Sequence, residues 1–343
     1  MLSLAVETSC DETSAAVLDN EKVLSNVISS QVFHSDFGGV IPEIASREHL
    51  LKITEITESA LSLAGRKISD IELISATSEP GLIGALLVGL NFGKSLAMCL
   101  NIPFVPVNHI HSHLYSNFLG KEPESYKFPF ISLIVSGGHT LLILAEDFFK
   151  HKILGRTVDD AAGEAFDKAG KLLGLGYPGG PLIDKLAVSG NRDYHKFPLA
   201  YVKHSRFDFS FSGVKTSLLY FLREINFENV KTEKLLSDIC ASYQNAIVRS
   251  LFEKTLLAAE ENEVREIKIS GGVSVNSCLQ KEFRHLENSG YKISFPETGY
   301  STDNAAMIGL TGYLKYKYSG DKDYFMRESF NHNAKARLDY ENF

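Results

Sequence analysis

Short apolar runs joined by small polar turns recur along the chain. Residues 2–7 and 14–18 are β-rich runs separated by a polar turn, which predicts a hairpin. Residues 130–135 and 141–145 form a second pair of the same kind. Two hairpins that each head an α/β segment predict an α/β fold with two similar lobes facing one another across a central cleft.

Small residues fill the turns that follow two of the apolar runs. Ser136-Gly137-Gly138 follows residues 130–135, and Ser270-Gly271-Gly272 follows residues 266–269. Glycine allows the backbone N–H groups to approach a bound anion, and serine adds a hydroxyl donor. The two loops therefore predict phosphate binding from opposite sides of one cleft. The chain has no G-x-G-x-x-G or G-x-x-x-x-G-K-[ST] motif, which disfavours a dinucleotide fold or a P-loop NTPase.

A histidine pair follows the apolar run 102–107, where a strand is expected to turn into a helix. On a helix His109 and His113 lie one turn apart on the same face, at a spacing that suits two ligands of one metal ion. The peptidase motif H-E-x-x-H has a glutamate after its first histidine, whereas Ile110 occupies that position here. The residues alone leave a metal site and a helix start with surface histidines as equal alternatives.

Residues 174–181 contain four glycines and two prolines. Such a segment is expected to form a rigid excursion instead of a helix or strand interior, with Asp167 and Asp184 near its two ends. A purely structural loop and the wall of a binding site remain equally good interpretations.

The 343-residue length predicts two domains, and 44% apolar with 22% charged residues is typical of a globular protein. The N-terminal run is predicted to be a strand and not a signal peptide, and no apolar stretch is expected to span a membrane. The four cysteines contain no C-x-x-C pair, which favours a reducing, cytoplasmic location.

The net charge of −7 means that nucleic acid could bind only at a local basic patch. The candidates for that patch are Lys315, Lys317, Arg327, Lys335 and Arg337.

Seven motifs together resemble the TsaD family, which includes the catalytic subunit of the archaeal and eukaryotic KEOPS complex. In order they are ETSCDET at 7–13, H-x-x-x-H at 109–113, VSGGHT at 135–140, GYPGG at 176–180, FSFSGVKT at 209–216, SGGVSVN at 270–276 and TDNAAM at 302–307. The resemblance runs from about residue 2 to about residue 312 and implies an actin-like ATPase (ASKHA) fold. One departure is Glu79, where the family usually has glycine.

The resemblance implies an acyltransferase that acts on tRNA. Threonylcarbamoyl-AMP would donate its threonylcarbamoyl group to the N6 amine of the adenosine 3′ of the anticodon, in tRNAs reading codons that begin with adenine. One divalent metal, Fe(2+) in preference to Zn(2+), would be held by His109, His113 and Asp303. The adenylate, or ATP or ADP in the same cleft, would contact Ile134, Val135, Ser136, Gly137, Gly138, Asp167, Gly180, Asp184 and Asn276.

Asp11 and Glu12, in the first hairpin turn, are the candidates for the base that accepts a proton from the adenine amine; an acidic turn without a catalytic role is the alternative for each. Competing functions are an actin-fold ATPase or small-molecule kinase, which would leave the histidine pair idle, and an interaction protein. A metallopeptidase is disfavoured by Ile110.

The resemblance also implies partners and a division of the chain. Residues 84–98 predict a helix that is apolar on more than one face and carries Gly84, Gly89 and Gly93. It is either a buried core helix or a face for a TsaB-like paralogue, and the resemblance favours the second. A TsaE-like ATPase and a TsaC-type synthase that supplies the adenylate complete the expected set. The predicted domains are 1–115, 116–305, and a tail at 306–343 that packs back on the first lobe.

Overall fold

The computed structural model describes residues 1–31, 39–340 and 343. The chain divides into two compact units: unit 1 comprises Met1–Lys127 with Pro296–Phe343, and unit 2 comprises Phe128–Phe295. The boundaries predicted after residues 115 and 305 both fall inside unit 1. Residues 116–127 remain with unit 1 because the rings of Tyr115, Phe118 and Tyr126 stack in sequence.

Unit 1 is built on a five-stranded sheet of order β3-β2-β1-β4-β5. β1 pairs with β2 and β2 with β3 in antiparallel fashion, whereas β1 pairs with β4 and β4 with β5 in parallel. Its elements are β1 (Leu2–Glu7), β2 (Glu12–Asp19), β3 (Lys22–Ser30), α1 (Pro42–Ala64), β4 (Leu73–Glu79), α2 (Ile83–Leu100), β5 (Phe104–Asn108), α3 (His109–Tyr115) and α10 (Ala305–Tyr318).

Unit 2 repeats the same plan with the order β10-β9-β6-β7-β8. β6 pairs with β7 and β7 with β8 in antiparallel fashion, and β6 pairs with β9 and β9 with β10 in parallel. Its elements are β6 (Phe130–Val135), β7 (Thr140–Asp147), β8 (Lys150–Arg156), α4 (Ala162–Leu172), α5 (Gly179–Ala187), α6 (Ser212–Glu224), α7 (Phe227–Val230), α8 (Glu233–Glu261), β9 (Glu266–Ser270), α9 (Ser277–Arg284) and β10 (Lys292–Ser294). The two predicted hairpins and the similarity of the two halves are confirmed.

Helices cover both faces of the central strands, which explains their continuous apolar sequences. In β1, Leu4 and Val6 belong to the core that α1 and α2 help to form, while Ala5 faces Gly309 of α10. Strands buried on both faces lose the alternation of apolar and polar residues that marks a half-exposed strand. β6 follows the same rule, because all six of its residues are buried.

Helix α2 corrects the expectation that no apolar stretch approaches membrane-spanning length. Its 18 residues have a mean hydropathy of 1.6, so it meets that criterion by length and composition alone. The helix packs on β4 and α1 within unit 1. Its glycines serve that packing, because an added Cβ at Gly84 would meet Ser46, at Gly89 would meet Thr8, and at Gly93 would meet Phe104.

The glycine- and proline-rich segment 174–181 is only partly an irregular excursion. Gly179, Gly180 and Pro181 form the first turn of α5. A proline is tolerated there because the first helical N–H groups have no partner inside the helix. An added Cβ at Gly179 would meet the Phe166 carbonyl oxygen at 2.6 Å, so the segment packs closely on α4.

Candidate functional site

The histidine pair lies at the start of α3, directly after the buried strand β5. Asn108 caps this helix: its Oδ1 accepts hydrogen bonds from the backbone N–H groups of Ile110 (2.8 Å) and His111 (3.3 Å). The cap fixes the first turn, and the imidazole centroids of His109 and His113 are 4.6 Å apart. Both rings are buried. The predicted transition from strand to helix is therefore confirmed.

Asp303 reaches the histidines from the turn that precedes α10. Its Oδ1 is 3.0 Å from Nε2 of His113 and 3.5 Å from Nε2 of His109. The neighbouring Asn304 caps α10 by accepting a hydrogen bond from the N–H of Met307 at 3.0 Å. One ligand atom from each of His109, His113 and Asp303 lies within 4.8 Å of the others. Within unit 1, the structure brings all three predicted ligand residues together.

Opposite charges dominate the electrostatics of this cluster. Burial alone raises the pKa of the Asp303 carboxyl, but the charge of His109 and hydrogen bonds from both histidines hold it well below its usual value. Burial lowers the pKa of His109, yet Asp303 and Glu7 raise it well above the ordinary value. Burial also lowers the pKa of His113, and the charge of His109 adds to that effect. A bound divalent cation would take over the role of the positive charge on His109, which offsets the negative charges of Asp303 and Glu7.

The residues present suit a divalent metal. Two imidazoles and one carboxylate form a donor set that both Fe(2+) and Zn(2+) use in proteins. The buried Nδ1 of His113 has no hydrogen-bond partner among the residues that the structure describes, so the hydrogen bond found for this ring is the one between Nε2 and Asp303. The three donors fit one metal ion.

The acidic turn between β1 and β2 carries Asp11 and Glu12. His49 of α1 holds the turn, since its Nε2 is 3.0 Å from the Cys10 carbonyl oxygen and its Nδ1 is 2.8 Å from Thr13 Oγ1. Burial and the charges of Asp303 and Asp11 raise the pKa of Glu12 to about 9. Glu12 and Asp303 both belong to unit 1, and the charge of Asp303 is one cause of that raised pKa.

Sequence reasoning did not select Glu7 as a site residue. Its side chain is 0% exposed, and its Oε2 is 3.1 Å from Nδ1 of His109. Burial raises the pKa of this carboxyl, but His109 and a hydrogen bond from Ser9 outweigh burial and leave the pKa below its usual value. The sequence did contain one sign of this role: Glu7 is a carboxylate at the end of the mainly apolar run 2–7, and a buried charged residue usually has a specific partner.

In unit 2, the two S-G-G loops follow neighbouring parallel strands. Ser136 follows β6, and Gly271 follows β9; an added Cβ at Gly271 would press on the Val135 carbonyl. The loops therefore lie side by side at the carboxyl edge of one sheet, which corrects the expectation that they face one another. A Cβ on Gly163 would meet the Ser136 carbonyl oxygen at 2.5 Å, so the N-terminus of α4 adjoins the first loop. The first N–H groups of α4 are used internally, since Ala162 donates to Thr140 Oγ1 at 2.9 Å and Gly163 donates to the Ser136 carbonyl oxygen at 3.2 Å. The loop glycines therefore offer the backbone donors that suit an anion.

The other predicted adenylate residues also lie in unit 2, and most make internal hydrogen bonds. Asp167 accepts from the N–H of Gly179 at 2.8 Å, and burial raises its pKa despite that bond. Asp184 accepts from the N–H and the hydroxyl of Ser277, at 3.0 and 2.7 Å. Asn276 caps α9 and donates to Gln244 at 2.7 Å.

The remaining three predicted adenylate residues can offer a ligand mainly their backbone N–H and C=O groups. The side chains of Ile134 and Val135 are buried in the sheet. Gly180 stands in the first turn of α5. These positions can contact a ligand through peptide groups alone.

The candidate basic patch is not a free surface. Lys315 donates to the Pro106 carbonyl at 2.9 Å, and burial lowers its pKa. Lys317 pairs with Glu21 at 2.8 Å, and Lys335 pairs with Glu79 at 3.4 Å. Lys315 is therefore unavailable to a phosphate, whereas Lys317 and Lys335 are 39% and 54% exposed and have their charges partly offset by the paired carboxylates.

Comparison with known proteins agrees with the motifs. Residues 22–310 match the sequence profile of TsaD, tRNA N6-adenosine threonylcarbamoyltransferase. Curated proteins with that name from Chloroherpeton thalassium and Chlorobium phaeobacteroides are 51% identical over 323 residues and 52% identical over 326 residues. The first match covers 91% of each chain, and the second covers 92% of each.

Solved structures with low sequence identity share the fold. HypF from T. kodakarensis aligns with a TM-score of 0.60 at 14% identity, over 95% of this chain and 49% of its own. Component A of (R)-2-hydroxyglutaryl-CoA dehydratase from Acidaminococcus fermentans aligns with a TM-score of 0.53 at 15% identity, over 92% and 99%. The actin-like ATPase class predicted from the sequence is confirmed.

Proposed function

Because this chain belongs to the TsaD family, we propose that it transfers the threonylcarbamoyl group of threonylcarbamoyl-AMP to tRNA. The acceptor is the N6 amine of the adenosine 3′ of the anticodon, in tRNAs that read codons beginning with adenine. The observation that carries this proposal is about 50% identity with threonylcarbamoyltransferases over more than 90% of the chain. The reaction is an acyl transfer.

His109, His113 and Asp303 are proposed to hold one divalent metal ion, which the family implies. When bound, this ion supplies a Lewis acid that polarises a carbonyl group of the substrate. Fe(2+) is favoured and Zn(2+) is the alternative, because two imidazoles with one carboxylate serve both ions. The close approach of the three ligand atoms supports this assignment.

The adenylate is proposed to lie against the two S-G-G loops of unit 2, where ATP or ADP would bind as well. The backbone N–H groups of Gly137 and Gly138 suit the phosphate, whereas the N–H of Ser136 already donates to the His139 carbonyl oxygen at 2.8 Å. Asp167 and Asp184 keep free lone pairs that can accept hydrogen bonds from ribose hydroxyls, since each carboxylate offers about four acceptor positions.

Asp11 and Glu12 are the proposed bases. The exocyclic amine of adenine is a weak nucleophile and loses a proton as its bond to the acyl carbon forms. AMP leaves with the electron pair of the broken anhydride bond. The raised pKa of Glu12 keeps this carboxyl protonated at neutral pH while no cation offsets the charge of Asp303. A bound cation would lower that pKa and leave the carboxylate able to accept the proton.

The proposed partners are tRNA, a TsaB-like paralogue and a TsaE-like ATPase, with a TsaC-type synthase as the source of adenylate. A cytoplasmic location without membrane attachment is proposed, because one face of α2, the apolar helix, packs on β4 and α1 of unit 1.

A reconstituted transfer assay tests the function. Purified protein with the TsaB-like and TsaE-like partners, synthetic threonylcarbamoyl-AMP and unmodified tRNA should yield threonylcarbamoyladenosine in digested tRNA. A tRNA with guanosine 3′ of the anticodon is the matched control and should remain unmodified. ATP hydrolysis by the purified chain alone, together with no tRNA modification in the complete mixture, would instead support a plain ATPase.

A further inference from the structure

Glu7 is a buried carboxylate for which the proposed reaction has no direct use. It ends β1, and every contact that it makes lies within unit 1. Its Oε1 accepts a hydrogen bond from the N–H of Ser9, and its Oε2 accepts one from Thr77 Oγ1 at 2.6 Å. The same Oε2 is 3.1 Å from Nδ1 of His109. A buried carboxylate is costly unless its oxygens are satisfied, so this one is held in a single orientation.

The two nitrogens of the His109 ring face different groups. Nδ1 faces Glu7, with Ser9 Oγ at 3.3 Å, whereas Nε2 faces Asp303 at 3.5 Å. Glu7 therefore lies behind the ring, on the side away from Asp303. An ionised carboxylate only accepts hydrogen bonds, so Nδ1 must carry the hydrogen. When a metal ion displaces the hydrogen that Nε2 shares with Asp303, the lone pair of Nε2 becomes the ligand.

We propose that Glu7 is a positioning residue, which fixes His109 in the tautomer and orientation that a metal ion requires. This inference rests on the proposed metal site. Histidines that bind metals commonly donate their second N–H to a carboxylate, and such partners contribute substantially to metal affinity. Glu7 acts through His109 and does not touch the substrate.

The chemistry of an amide makes Glu7→Gln a sharp test. Glutamine keeps the shape of the side chain but offers one acceptor oxygen and one NH2 donor. If its oxygen faces Ser9, its NH2 faces His109 and favours hydrogen on Nε2, which blocks ligation. If its oxygen faces His109, its NH2 opposes the N–H of Ser9. One orientation favours the His109 tautomer that cannot bind a metal through Nε2. The other orientation places the glutamine NH2 against the N–H of Ser9, so that two donors face each other.

The experiment measures Zn(2+) affinity of the purified full chain by competition with a chromogenic chelator, and the visible spectrum of the Co(2+) form. We expect Glu7→Gln to weaken Zn(2+) binding by about 10- to 100-fold and to change the Co(2+) bands. Glu79→Gln is the matched control, since Glu79 ends the neighbouring strand β4 but pairs with Lys335. It should retain wild-type affinity and spectrum.

Unchanged metal affinity and spectrum in folded Glu7→Gln would overturn the proposal. If that variant does not fold, Thr77→Val decides, because it removes only the hydroxyl that holds Glu7. Weaker Zn(2+) binding in Thr77→Val supports the proposal, and wild-type affinity contradicts it. Failure of the proposed function looks different: the wild-type protein itself would then bind no stoichiometric metal or would not modify tRNA.

Discussion

At the residue scale, the cluster around His109 shows what a local pattern can and cannot predict. The helical period alone placed His109 and His113 on one face. Asp303 is 190 positions away from His113 in the chain, and only the family resemblance pointed to it. Glu7 stood inside a recognised motif, yet its role depends on the direction of one imidazole ring. Long-range contacts of single side chains require the fold, because sequence spacing does not encode them.

Removal of a single metal ligand should lower metal affinity by orders of magnitude, because two remaining donors do not fix the coordination geometry. We expect His109→Ala, His113→Ala and Asp303→Asn each to lose iron or zinc on dialysis, as measured by elemental analysis. His111→Ala is the control on the same helix, since His111 contacts the ring of Phe343 and is outside the ligand cluster. Stoichiometric metal in all three ligand variants would refute the assignment.

Glu79, the departure from the family pattern, should matter little for stability. Its partner Lys335 is 54% exposed although Glu79 itself is 16% exposed, and ion pairs open to solvent on one side contribute about 0 to 1 kcal/mol. We therefore expect the free energy of unfolding of Glu79→Gly, measured in urea, to differ from wild type chiefly through the added flexibility of glycine. Lys335→Ala, which removes only the ion pair, is the control. A large loss in Lys335→Ala would show that the pair holds the C-terminal residues in place.

At the scale of elements, the positions of the glycines were the weakest guide to which elements form and what packs against them. Three glycines on α2 show that another group approaches closely, but they do not say whether it belongs to the same chain. The structure answers this for Gly89, whose N–H is 3.2 Å from Thr8 Oγ1. Strand and hairpin positions were predicted well, because buried apolar runs and small polar turns are local signals. The first turn of α5 was missed, because proline and glycine are also compatible with a helix start.

The two faces of α2 should respond differently to substitution. Gly89→Leu should lower the melting temperature strongly, because overpacking against Thr8 costs about 1–3 kcal/mol or more. Leu87→Lys should leave the melt nearly unchanged, because Leu87 is 44% exposed, but weaken co-purification with the TsaB-like partner. Normal pairing in folded Leu87→Lys would place the partner surface elsewhere.

The first S-G-G loop offers a similar contrast. A Cβ at Gly137 would have no heavy atom of the described residues within 4 Å, so Gly137→Val should fold with a melting temperature within a few degrees of wild type. It should nevertheless abolish nucleotide binding in calorimetry, because the side chain would occupy the space above the backbone donors. Gly320→Val, at another open position, is the control. Unchanged nucleotide affinity in Gly137→Val would refute the loop assignment.

At the scale of the whole molecule, charge limits what this chain can do alone. A net charge of −7 repels the phosphates of tRNA on average. Near the C-terminus, Lys315 donates to the Pro106 carbonyl, and Glu21 and Glu79 partly offset the charges of Lys317 and Lys335. Composition correctly limited nucleic-acid binding to local patches, but the positions of such patches depend on side-chain pairing that the sequence does not reveal.

The isolated chain should therefore bind tRNA weakly and modify it poorly, even when threonylcarbamoyl-AMP is supplied. Partners that contribute additional cationic surface should strengthen binding, and the affinity should fall steeply as salt rises, because each phosphate contact releases counterions. We expect tRNA modification to increase when the TsaB-like and TsaE-like proteins are added. Charge reversal of Lys315 with Lys317 should disturb folding more than tRNA affinity, since Lys315 is buried against Pro106. Repeated modification of tRNA at full rate by the purified chain alone would contradict the partner requirement.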